Sequence, residues 1–181
     1  SFTDVNATTL PALSDSVAAW GDYDNDGDLD LVLAGYTSSS IPVARVYRND
    51  SGLFMDINAA LVTGDPFTAR AAWGDYDGDG RLDLLLASQN ETKVLHNNGN
   101  STFTDVQAGL PLVASGALAW GDYNNDRKLD LVLTGRSGSG PQTKVFRNIT
   151  LTANTAPAAP GDLVANTSAR AATLNWGAGS D

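Results

Sequence analysis

The chain has 181 residues, 42% of them hydrophobic, and a formal net charge of −10 at pH 7, which is enough apolar material for one sizeable core. With only 11 lysines and arginines, scattered along its length, it lacks the basic face that phosphate binding requires, and no nucleic-acid partner is expected. It has no cysteine, which excludes disulfides and thiolate metal sites, and no apolar run of about 18 residues that would span a membrane.

The opening residues, SFTDVNATTLPAL, carry neither the basic start nor the apolar run of a signal peptide. The first predicted strand covers Phe2 to Val5, and Val17 to Trp20, Leu29 to Ala34 and Val43 to Arg48 follow. In the third of these, Leu29, Leu31 and Leu33 fall on one face and Asp30, Val32 and Ala34 on the other, the period of two that a strand requires. Gly, Asn, Asp, Ser and Pro fill the intervals and accommodate tight or left-handed turns. The pattern then recurs. AAWGDYDNDGDLDLVLAG, AAWGDYDGDGRLDLLLAS and LAWGDYNNDRKLDLVLTG place Trp20, Trp73 and Trp120 at intervals of 53 and 47 residues. SFTDV, LFMDI and TFTDV precede these blocks, while ARVYRND, TKVLHNN and TKVFRNI follow them. The chain thus divides into three units, 2–53, 54–102 and 103–153, each with four short strands. A sheet this small cannot bury its faces alone, so the predicted fold is all-β: three four-stranded antiparallel blades of a β-propeller, packed face to face. The Trp of each block is expected to wedge between blades.

Within each unit an acidic loop lies between the second and third predicted strands. Stretches 22–30, 75–83 and 122–130 hold twelve of the 21 acidic residues. Four carboxylates about 6 Å apart repel one another by roughly 4 kcal/mol in total even in water, so a bound cation is what makes such a loop favourable. In unit one Asp22, Asp24, Asp26 and Asp30 occupy positions 1, 3, 5 and 9 of a D-x-D-x-D-G-x-x-D loop. Gly27 supplies the sharp turn, and the backbone carbonyl of Asp28 is the expected further ligand. Oxygen-only ligands on a flexible loop select a hard cation, and Ca²⁺ before Mg²⁺. Unit two repeats the set with Asp75, Asp77, Asp79 and Asp83, with Gly80 at the turn and the carbonyl of Arg81. Unit three has Asp122, Asn124, Asp126 and Asp130 with the carbonyl of Lys128, but Asn124 removes one charge and Arg127 replaces the glycine. Up to three Ca²⁺ ions are expected, the third bound most weakly. A helix-flanked calcium loop would need Glu at position 12, where Leu33, Leu86 and Leu133 stand, so this loop closes at position 9 and feeds a strand. A structural role is expected for the ions, pinning turns in a chain without disulfides.

After unit three, Pro157 and Pro160 read as a stiff linker, and Ala172, Leu174 and Trp176 alternate as a strand would. Six N-x-S/T sequons, at Asn6, Asn49, Asn90, Asn100, Asn148 and Asn166, point to a secreted and glycosylated surface. His96, the single histidine, aligns with Arg48 and Arg147 and is expected at the surface end of a strand. No G-x-S-x-G nucleophile motif occurs, and paired carboxylates lie only inside the metal loops. No enzyme activity is expected of this chain.

The three blocks resemble FG-GAP/VCBS repeats, the blades of integrin α-subunit heads and of many bacterial secreted proteins, from residue 2 to about 150. The resemblance implies a β-propeller, commonly of seven blades, with Ca²⁺ held between the first and second strands of a blade by the aspartates named above; Asn124 and Arg127 depart from the pattern. PAAPGDLVANTSARAATLNW resembles the first two strands of a fibronectin type III domain, so 154–181 is read as a linker and the start of such a domain. The implied function is a calcium-binding module of a secreted or cell-surface protein, structural and adhesive, with protein or glycan partners. Three blades fall short of the roughly four to eight that close a propeller, so other copies or the rest of a longer chain would complete it. Two alternatives follow. One is an extracellular ring or filament assembled by strand complementation, and the other an accessory module of a polysaccharide-acting enzyme whose catalytic domain lies elsewhere.

Overall fold

The computed structural model describes residues 1–5, 7–59, 61, 70–88 and 90–150, together with the backbone of 164–168 and 171–175. Among these residues every helix or strand element is a strand. The first sheet runs in chain order through β1 (Ser14–Gly21), β2 (Asp30–Tyr36), β3 (Pro42–Asp50) and β4 (Leu53–Asp56), each antiparallel to the next. The second repeats this with β5 (Arg70–Gly74), β6 (Asp83–Ala87), β7 (Thr92–Asn97) and β8 (Phe103–Asp105). The third has β9 (Ala114–Gly121), β10 (Asp130–Ser137) and β11 (Gly140–Phe146), three strands among the described residues. A separate antiparallel pair, β12 (Val164–Ser168) with β13 (Ala171–Asn175), covers part of the tail expected to begin a fibronectin type III domain; Pro157, Pro160 and Trp176 lie outside the described residues. The result is an all-β stack of propeller-like blades that does not close.

Register is the same in each sheet. Trp20 faces Leu31, Trp73 faces Leu84 and Trp120 faces Leu131, and the adjoining pairs are Gly21 with Asp30, Gly74 with Asp83 and Gly121 with Asp130. Each acidic loop therefore springs from a glycine and returns on a buried aspartate, and three loops stand at corresponding corners.

The central strand of the middle sheet is apolar on both faces because it has a neighbouring sheet on each side. Along β6, Leu84 and Leu86 join Val32, Ala34 and Val46 of the first sheet in one core cluster, while Leu85 and Ala87 join Leu131 and Leu133 of the third in another. Alternation along the strand sends successive side chains to opposite faces. One expectation fails. Phe2 to Val5 forms no strand, and Phe2 and Val5 are 107% and 83% exposed. The equivalent segments Leu53–Asp56 and Phe103–Asp105 pair with the third strand of the preceding sheet, so the F-x-D segment that opens each sequence unit is the last strand of the blade before it. Among the described residues no sheet lies before Phe2 to Val5 for it to complete.

Candidate metal centre

Each loop is folded by its own carboxylates. At position 1, Asp22 accepts from the Asp26 and Gly27 amides at 3.1 and 3.0 Å, Asp75 from Asp79 and Gly80 at 3.1 and 3.0 Å, and Asp122 from Asp126 and Arg127 at 3.0 and 2.8 Å. At position 5, Asp26, Asp79 and Asp126 accept from the amides of Asp28, Arg81 and Lys128 at 2.8, 2.9 and 3.1 Å. Position 6 lies in the left-handed region in all three, with φ of 94° at Gly27, 86° at Gly80 and 67° at Arg127. A non-glycine residue there costs about 1–2 kcal/mol. Position 4 is left-handed too, with φ of 59° at Asn25, 76° at Gly78 and 60° at Asn125. Its occupants are the residue types that tolerate this conformation, a signal present in the sequence and missed there.

Position 9 is the anchor. Asp30, Asp83 and Asp130 are 0%, 0% and 1% exposed. One carboxylate oxygen of each accepts from the amide of Tyr23, Tyr76 or Tyr123, and the other from the amide of Asn49, Asn97 or Asn148 at the end of the third strand. Burial pushes the Asp30 and Asp83 carboxyls up to about 6, against the pull of those backbone donors. Burial also raises Asp24 and Asp77, with Asp26 and Asp79 respectively adding like-charge repulsion.

Oxygens within 4.8 Å of one another come from Asp22, Asp24 and Asp30 in loop one, from Asp75, Asp77 and Asp79 in loop two, and from Asp122, Asp126 and Asp130 in loop three. A hard cation fits this donor set, and Asp77 Oδ1 in loop two is buried without a hydrogen-bond partner. The expected ligands do not all converge: Asp26 stands apart from the loop-one group, and Asp83 groups instead with Asp77 and His96.

His96 is therefore no mere surface residue. Its Nδ1 lies 3.2 Å from Asp77 Oδ2 and 3.3 Å from Asp83 Oδ1, and its ring meets Tyr76 edge-on at 6.3 Å. A basic side chain stands in the third strand or just past its end in every unit, and in loop three Arg147 Nη2 reaches Asp126 Oδ2 at 3.1 Å. Asn124 donates to the same oxygen at 3.1 Å. Burial tends to raise the Asp126 carboxyl, but hydrogen bonds from Arg147, Lys128 and Asn124 outweigh it and hold the group below the usual range. Arg81 likewise turns its guanidinium onto Asp79, a role beyond the carbonyl assigned to it, while the Lys128 ammonium leaves its loop for the Thr150 carbonyl.

The asparagines that hold the anchors also fasten the blades. Asn97 Nδ2 donates to Leu82 O at 3.1 Å and, across the blade boundary, to Tyr23 O at 2.7 Å; Asn148 Nδ2 donates to Leu129 O at 3.1 Å and to Tyr76 O at 2.7 Å. Asn49 Nδ2 donates to Leu29 O at 2.9 Å. Of the six sequons, Asn49 and Asn148 thus use the nitrogen a glycan would take, Asn90 and Asn100 are exposed, and Asn6 and the side chain of Asn166 lie outside the described residues.

The family of FG-GAP-like repeats matches residues 22–86 and again 75–133, each match opening on the first aspartate of a loop. No curated protein matches the sequence. Among solved structures, that of an Agrocybe aegerita lectin with specific recognition of non-reducing terminal N-acetylglucosamine is similar at 20% identity and a TM-score of 0.44, over 75% of this chain and 39% of the lectin. The chain thus spans about two fifths of that protein's length.

Proposed function

Because this chain belongs to the FG-GAP-like repeat family, we propose that it is a calcium-binding propeller module of a secreted or cell-surface protein, with a structural and adhesive role toward protein or glycan partners. The observation that supports the calcium reading is the recurrence, in all three loops, of three acidic oxygens within 4.8 Å of one another, a set that includes the buried anchor carboxylate in loops one and three. Asp22, Asp24 and Asp30 would hold the first ion, Asp75, Asp77, Asp79 and Asp83 the second, and Asp122, Asp126 and Asp130 the third, with Asn124 and the carbonyls of Asp28, Arg81 and Lys128 as further oxygens. When bound, the ion supplies the positive charge that offsets carboxylate repulsion and fixes the loop. The chain's own residues set the order of affinity: loop three already answers Asp126 with Arg147 and Asn124, so it binds last. With the loop carboxylates committed to cations and to loop amides, the role is binding and not catalysis. The tail pair β12 and β13 opens a fibronectin type III domain on the same reading.

Calorimetric titration of chelator-treated protein tests this. Up to three Ca²⁺ are expected, and Asp30→Asn or Asp83→Asn should each remove one. At a hundredfold excess over its dissociation constant, each site adds about 2.7 kcal/mol of stability. No heat of binding and no shift in melting temperature at millimolar Ca²⁺ would contradict the calcium reading. Arrays of glycans and extracellular proteins probe the adhesive part.

A further inference from the structure

The two ends of the blade stack are the unmatched halves of a joint that the chain makes twice internally. At the boundary between the first and second sheets, a Cβ on Gly21 would lie 2.6 Å from Trp73 Cδ1 and 3.0 Å from Leu82 Cδ1. At the next boundary, a Cβ on Gly74 would lie 2.6 Å from Trp120 Cδ1 and 3.0 Å from Leu129 Cδ1. In both, the indole Nε1–H donates across to a carbonyl, Trp73 to Ala19 at 3.2 Å and Trp120 to Ala72 at 3.3 Å. The tryptophan and leucine of one blade thus lie on the bare backbone of the blade before it, and the asparagine clasp closes the same seam.

On the outer face of the first sheet the knobs stand uncovered: Trp20 is 58% and Leu29 55% exposed. On the outer face of the third sheet the matching seat is open. A Cβ on Gly121 would meet nothing within 4 Å, Tyr123 is 61% exposed where Tyr23 is 1%, and Val145 is 57% exposed where Val46 is 0%. A hollow of about 200 Å³ lies there, lined by Gly121, Tyr123, Val132 and Val145 among others.

A second mismatch points the same way. Phe103 of β8 packs on Trp73 at 6.1 Å, and Phe54 of β4 on Trp20 at 6.0 Å. Trp120 has no such phenylalanine among the described residues; beside it lies a cavity of about 520 Å³ lined by Tyr76, Leu110, Phe146 and Ile149 among others. Phe2, 107% exposed, lies 18 residues before Trp20, as Phe54 lies 19 before Trp73 and Phe103 lies 17 before Trp120.

We propose that a second copy of this chain docks head to tail on the third sheet, its Trp20 and Leu29 seated on Gly121 and its Phe2–Val5 segment added along β11 with Phe2 beside Trp120. The occupant follows from continuity with the internal joint: a second copy set on the third sheet as the second sheet sits on the first would bring Trp20 and Leu29 to Gly121 and its Asn49 amide to the Tyr123 carbonyl. A propeller closes with about four to eight blades, and two copies of this 181-residue chain bring six blade sheets together, a number within that range. The inference rests on the blade reading of the three sheets and not on calcium.

Sedimentation and light scattering of the 181-residue chain, from low micromolar to submillimolar concentration, should give twice its mass of 18.9 kDa. Gly121→Leu adds a side chain into open space, so its calcium-free melting temperature should match the parent's at dilutions where both are monomeric. Its dissociation constant, and that of Trp20→Ala, should rise more than about thirtyfold. A chain that stays monomeric throughout, its faces being reserved for further repeats of the same protein, overturns the proposal. So does a dimer indifferent to Gly121→Leu. Neither result touches the calcium titration.

Discussion

Asp30 and Asp83 are buried carboxylates that fold into place at the cost of their ionised form, and this fixes how stability depends on pH. Burial pushes each up to about 6, above the unfolded value of about 4, so the folded chain holds these protons more tightly than the unfolded one. Their contribution is complete below about pH 4 and is lost as pH rises through about 6. Calcium-free protein should therefore melt lower at pH 7 than at pH 5, while the rise in melting temperature on adding Ca²⁺ should grow over the same interval, because only ionised carboxylates bind it. Scanning calorimetry with and without chelator measures both, and a calcium-free profile flat across that window contradicts the burial argument. Arg127 offers a second handle, since its φ of 67° is one a glycine adopts freely. Arg127→Gly should add about 0.5–1 kcal/mol in denaturant unfolding and strengthen calcium binding at the third loop. The aspartates and the glycine turn were legible in sequence because all lie within nine residues. His96 and the strand-end asparagines were not, since Asn49, Asn97 and Asn148 stand 19, 14 and 18 residues from the carboxylates they hold.

Between elements, the joint at Gly74 holds the seam between the second and third sheets, and the clasp at Asn97 the seam between the first and second. Gly74→Ala forces its methyl against the Trp120 ring and should cost about 1–3 kcal/mol, whereas Gly121→Ala should stay within about 0.5 kcal/mol of the parent. Asn97 is fully buried and its amide answers two carbonyls, so Asn97→Ala should cost about 2–3 kcal/mol. Asn49→Ala, which loses one such bond at a half-buried site, should cost about 1 kcal/mol. Denaturant midpoints of the four variants rank them, and equal losses at Gly74 and Gly121 would show that the seat is not what fits the tryptophan. Three of the four strands read in the first unit, Val17 to Trp20, Leu29 to Ala34 and Val43 to Arg48, lie within a few positions of their observed ends, while Phe2 to Val5 forms none. Membership was harder: Phe54 and Phe103 open their sequence units, yet they complete the sheet before, because a hairpin through Ser51 and Gly52 returns the chain against β3. Local pattern reports that a strand exists, and only pairing assigns it to a sheet.

For the whole molecule, stability is a sum over blades and over the seams between them, in the manner of a linear array. The middle blade has two seams and the outer blades one each. Leu84, Leu85 and Leu86 of β6 are each at most 1% exposed, with side chains in two different core clusters, while β1 and β11 hold most of their residues exposed or half-buried. Opening β6 therefore requires both seams to part, whereas β1 and β11 can detach with the loss of one strand pairing. Amide hydrogen exchange at concentrations that keep the chain monomeric should be slowest in Asp83–Ala87, faster in Asp30–Tyr36 and Asp130–Ser137, and fastest among these strands in Ser14–Gly21 and Gly140–Phe146. Raising the concentration should slow exchange selectively in the last two, where a docked copy would cover them. Uniform protection across the three central strands would mean that the blades unfold as one unit, and that the seams are worth more than the sheets they join.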